Sequence, residues 1–97
     1  MKIKELLTKE NWIKGFESLD QDGGPMNPRS EYAFCWCIVG AINKCYQKDD
    51  KERNNVLYAI QAKIGHRGDA ELGVSGWNDK EERTFEDVKK LVEELDI

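Results

Sequence analysis

The stretch Glu31-Tyr32-Ala33-Phe34-Cys35-Trp36-Cys37-Ile38-Val39-Gly40-Ala41-Ile42-Asn43-Lys44-Cys45-Tyr46-Gln47 decides the fold. Nearly every position from Tyr32 to Ile42 is apolar, and Ala41, Ile42, Cys45 and Tyr46 continue the pattern at helical spacing. A strand over Phe34–Val39 is the competing reading. The length of the pattern favours a helix over Glu31–Gln47, buried on most sides and N-capped by Ser30. Its eleven-residue apolar run falls well short of the roughly 20 residues a membrane span needs. Gly40 inside a helix costs about 1 kcal/mol relative to Ala, so close packing by another element is expected there.

Upstream, Ile3, Leu6 and Leu7 have the spacing of a short amphipathic helix. Thr8 or Asn11 is placed to cap a following turn that carries Trp12, Ile13 and Phe16. Asp20, Asp22, Gly23, Gly24, Pro25 and Pro28 then punctuate a flexible loop over about residues 17–30, where apolar periodicity vanishes. Downstream, Val56, Leu57, Ile60 and Ile64 make a second helical stripe, stopped by Gly65. Residues 66–76 read as irregular because Gly68, Gly73 and Gly76 break any pattern, with room for a short extended piece at Glu71–Ser75. Phe85, Val88, Leu91, Val92 and Leu95 define a final helix, opened by the capping box Thr84/Asp87. The expectation is one domain over residues 1–97: a small, mainly α bundle of about four helices around a buried central one.

Composition narrows the function classes. Of the 97 residues, 39% are hydrophobic and 35% charged, the mixture of a globular chain with one core. Fifteen basic against nineteen acidic residues give a net charge of −4, which disfavours a nucleic-acid partner. Met1-Lys2-Ile3-Lys4-Glu5 reads as a charged amphipathic start rather than a secretory leader. With three cysteines, an odd number, the expectation is free thiols in a reducing cytoplasm. On a helix Cys35 and Cys37 lie about 200° apart, so they cannot both face one metal. Neither a metal nor a cofactor is expected.

The cluster Trp77-Asn78-Asp79, with Arg83 and Thr84 behind it, has two readings. In the functional one, Trp77 is a stacking surface and Asn78, Asp79 and Arg83 recognise a ligand or partner. In the structural one, Asp79 caps a first helical turn with Glu82, Asn78 supports the bend, and Trp77 fills a seam in the core. Trp12, beside Gly15, is a second turn-borne aromatic that could share a pocket with Trp77. His66 and Arg67 are candidate anion-binding groups, together with Arg83. Asp20-Gln21-Asp22-Gly23-Gly24 hints at a calcium loop but fails its spacing.

Trp12-x-x-Gly15, Cys37-Ile38-Val39-Gly40-Ala41, and Trp77-Asn78-Asp79 followed by Arg83-Thr84-x-x-Asp87-Val88 together resemble the bacterial and phage family DUF6197. The resemblance spans about residues 11–95, and the W-N-D ending is its most specific part. The Gly/Pro loop is longer here, and Cys35 and Cys45 are extra thiols. The resemblance implies a bacterial or phage setting and no assigned activity. Two functions compete on these residues. One is a small non-enzymatic binding protein, such as a phage or mobile-element accessory factor, that contacts a host protein or sequesters a small ligand. The other is a small hydrolase or transferase with its site around Trp77, Asp79, His66 and Arg83, which requires separated segments to converge.

Overall fold

The computed structural model describes residues 1–97. Five helices and one two-stranded antiparallel sheet follow along the chain: α1 (Ile3–Leu6), β1 (Ser18–Asp20), β2 (Ala33–Trp36), α2 (Ile38–Cys45), α3 (Asp50–Ile64), α4 (Ala70–Asp79) and α5 (Phe85–Leu95). The fold is mainly helical, as the apolar patterning indicates.

The expected helix Glu31–Gln47 is two elements. Ala33–Trp36 is a strand, and the helix starts only at Ile38. The reason lies in the backbone of Trp36, which is held on its outer edge. Its N–H donates to Asn11 O at 2.8 Å, and its carbonyl accepts from Ile13 N at 3.1 Å. Cys37 N–H then donates to Glu17 O at 3.2 Å. A helix would withdraw all three groups from these partners. Ser30 caps no helix; its Oγ accepts from Tyr32 N in a local turn. Cys37 is the N-cap instead, with its Sγ accepting from Gly40 N at 3.4 Å.

Shortened in this way, α2 is still central, packing against α1, α3, α4 and β2. Ile38, Ala41 and Ile42 are fully enclosed, and they join Ile3, Ile60, Val74 and Val88 in one hydrophobic core. Gly40 has the neighbour its position called for. A Cβ there would lie 1.8 Å from Glu17 O, so the chain leading into β1 runs directly over the helix.

The 17–30 stretch holds a short strand that its composition does not announce. It carries β1, which pairs with β2 through Ser18↔Trp36 and Leu19↔Cys35 and bridges back to Pro25. Asp20 Oδ1 accepts from Asp22 N and Gly24 N and so tightens the turn.

The second correction is α4. Residues expected to be irregular or extended form a ten-residue helix, N-capped by Asp69, whose side chain accepts from Leu72 N at 2.9 Å. Val74 and Asn78, one turn apart, face the core. Gly73 is accommodated because His66 folds onto it: a Cβ at that position would meet the His66 ring at 2.0 Å. The other elements agree with their sequence signals. Gly65 is the left-handed C-cap of α3, and Thr84 and Asp87 form the capping box of α5. No helix is long and apolar enough to cross a membrane.

Candidate functional site

Because α4 extends to Asp79, Trp77-Asn78-Asp79 ends a helix rather than starting one. Asp79 is therefore not an N-cap, and Glu82 closes no box with it; Glu82 instead pairs with Lys80 at 3.2 Å. Asn78, expected at a bend, is fully buried. Its Oδ1 accepts from Trp12 Nε1 at 2.7 Å and from Ile38 N at 3.1 Å. Its Nδ2 donates to Ile13 O at 3.1 Å and to Asp79 Oδ1 at 2.9 Å. One amide thus joins the Trp12–Ile13 segment, the first residue of α2 and the end of α4, with its donors and acceptor all engaged.

Neighbouring side chains complete this junction. Asp79 Oδ1 also accepts from Gly15 N at 3.0 Å, fixing the residue at which the chain turns with φ +85°. Lys14 Nζ donates to the Lys80 and Glu81 carbonyls just beyond α4, at 2.7 and 3.0 Å. Arg83 lies 3.7 Å over the Trp77 ring, and its Nε donates to Trp77 O at 2.8 Å. Trp12 packs beside Phe85 with ring centroids 6.3 Å apart. Trp12, Trp77, Asn78, Asp79 and Arg83 therefore belong to one assembly, held largely by bonds among themselves and to the backbone.

His66 and Arg67 are not part of it. Both are exposed in the turn between α3 and α4. The His66 ring lies against Gly73, six residues before Asp79, which is about 9 Å along a helix axis. The anion site imagined from His66, Arg67 and Arg83 is thus divided between the two ends of α4. No group of three or more His, Cys, Asp or Glu side chains is placed to hold a metal ion.

The junction has an outer wall that sequence reasoning missed. Between the Gly15–Glu17 segment and α4 runs an open groove of about 230 Å³, with Cys37 and Ser75 among its lining residues. Phe16 is 51% exposed on one side and Leu72 74% exposed on the other. Three carboxylates line it, those of Glu17, Glu71 and Asp79, and no basic side chain does. Leu72 was hidden because α4 was not legible, and Phe16 because nothing local in its turn shows that α4 lies across from it. Burial pushes the Cys37 thiol up to about 11, with Asp79 and Glu17 adding to the shift and the Gly40 and Val39 amides opposing it. It is therefore a protonated, weakly nucleophilic wall group at neutral pH.

No curated protein and no solved structure matches the chain. A family model does, over residues 1–95, and it includes the Trp12–Gly15, Cys37–Ala41 and Trp77–Asp79 segments that meet at this junction. The chain belongs to DUF6197, a family of unknown function.

Proposed function

We propose that this chain is a non-enzymatic binding protein whose docking surface is the groove between Gly15–Glu17 and α4. The observation that carries the reading is the exposure of Phe16 and Leu72 on opposite sides of one concavity. Large apolar side chains in such a place gain nothing in the isolated chain and gain burial when a partner seats between them. At about 230 Å³ the groove is smaller than the roughly 300–1,000 Å³ of small-molecule pockets, which favours side chains of a protein partner over a sequestered ligand. A wider hollow of about 620 Å³ lies beside Lys2, Tyr46, Lys48 and Asp96, but Lys2 and Asp96 there already neutralise one another.

A hydrolase or transferase would need His66, Asp79 and Arg83 around one reacting atom. His66 lies back along α4, and Arg83 is committed to the Trp77 ring and carbonyl, so the arrangement supports binding over catalysis. An accessory role in a bacterial or phage-infected cytoplasm belongs to the same proposal, since a reducing compartment suits three free thiols.

The test is affinity capture with the native chain, a Phe16→Ser/Leu72→Ser variant and a Tyr58→Ser control, followed by quantitative mass spectrometry. A partner held by the native and control chains and lost by the double variant is the expected result. Identical capture by all three would remove the groove from the account.

A further inference from the structure

We infer that the occupant of this groove is a cationic segment of a partner protein, with an apolar side chain seated between Phe16 and Leu72 and lysine or arginine reaching the flanking carboxylates. The inference rests on the docking reading above and adds the partner's chemistry. Its basis is charge complementarity.

Glu17, Glu71 and Asp79 line the groove without a basic neighbour in the lining. Arg53 pairs with Glu71 and neutralises it in part. Glu17 and Asp79 form no ion pair: Glu17 Oε1 meets the neutral Asn43 amide, at 3.4 Å, while Arg29 and Arg53 lie beside Glu17 in the adjoining hollow and not in the groove. Asp79 uses Oδ1 for Gly15 and Asn78, while Oδ2 takes part in neither bond. Lys14 is committed to the Lys80 and Glu81 carbonyls, and Lys80, adjacent to Asp79 in sequence, pairs with Glu82. The chain as a whole carries −4, so the long-range field also draws a cationic segment and repels an acidic one. Aromatic and aliphatic anchors at the centre with charges at the rim are the usual anatomy of such a contact.

Three capped seven-residue peptides make the experiment: Lys-Lys-Gly-Leu-Gly-Lys-Lys, the same peptide with glutamine for every lysine, and the same with glutamate. Each is titrated into the ¹⁵N-labelled full chain and followed by amide chemical shifts. The lysine peptide should give saturable shifts at Gly15–Glu17 and Leu72–Ser75, with affinity about tenfold above the glutamine peptide, the sum of a few exposed charge pairs. That advantage should shrink as salt rises and fall several-fold in Glu17→Gln. Equal affinity for the lysine and glutamine peptides would overturn the cationic occupant and leave the docking surface standing. Tighter binding of the glutamate peptide would overturn it outright. Absence of groove shifts with all three peptides would overturn both the occupant and the surface.

Discussion

Asn78 shows how much one side chain can determine. Three segments far apart in sequence meet on its amide: Trp12–Ile13, Ile38 and Asp79. In a fully buried site a carboxamide serves here because it both donates and accepts, and a carboxylate cannot donate to Ile13 O or to the Asp79 carboxylate. Asn78→Asp is therefore expected to destabilise the chain in a pH-dependent way. Burial and the adjacent Asp79 charge would raise the folded-state value of the new carboxyl above its unfolded value of about 4. The folded chain then binds the proton more tightly than the unfolded one. The extra penalty is absent below about pH 4 and grows as pH rises through the folded value. Urea midpoints of the native chain and the variant, compared from pH 4 to pH 7, should diverge with rising pH; a constant gap would show that no raised carboxyl exists. The sequence showed Asn78 to be distinctive but not why. Its role depends on Trp12 and Ile38, 66 and 40 residues away, and no local spacing reveals such partners.

Among the elements, legibility followed the clarity of the caps. The α3 and α5 helices could be read because each apolar stripe had one clear end signal, the Gly65 stop of α3 and the Thr84/Asp87 box that starts α5. The fusion of β2 with α2 was misread because a strand and a helix that are both buried make one apolar run, which periodicity cannot divide. The residue at the boundary is Cys37, a thiol cap outside the usual Ser, Thr, Asp and Asn set. The α4 helix was missed because Gly73 and Gly76 look like breakers, yet Asp69 caps it and Val74 and Asn78 anchor it. The helical glycines are not equivalent, and substitution separates them. Gly40→Ala would drive a methyl group into Glu17 backbone and should cost about 1–3 kcal/mol or more. Gly76 has open space at its Cβ position, so Gly76→Ala should stabilise α4 by up to about 1 kcal/mol. Chemical denaturation of both variants measures this contrast, and equal effects would contradict the placement of the Glu17 backbone over α2.

At the scale of the whole molecule, α5 closes against α1 through Lys4 N–H donating to Ile97 O at 3.0 Å and through Lys2 and Lys4 on Asp96. These two lysines hold the Asp96 carboxyl down at about 2, against an ordinary 3.8. A depressed carboxyl contributes stability that is present above the ordinary value and is lost as pH falls towards the folded one. The difference in denaturation midpoint between the native chain and Asp96→Asn should therefore shrink between pH 4 and pH 2. A difference that persisted unchanged at pH 2 would mean that the pairing does not stabilise the fold.

The larger division of labour is that the Trp77-Asn78-Asp79 segment builds the fold, while Phe16 and Leu72 are exposed beside the groove proposed as a docking surface. Chemical denaturation of Asn78→Ala beside Phe16→Ser/Leu72→Ser tests that division in purified protein. Removing the amide strands Trp12 Nε1 and Ile38 N–H without an acceptor and should cost about 2–6 kcal/mol, at roughly 1–3 kcal/mol for each group left unpaired. The double serine variant removes a half-exposed ring and a largely exposed leucine and should cost no more than about 1.5 kcal/mol. The opposite pattern, with Asn78→Ala as stable as the native chain and the serine variant unfolded, would contradict it.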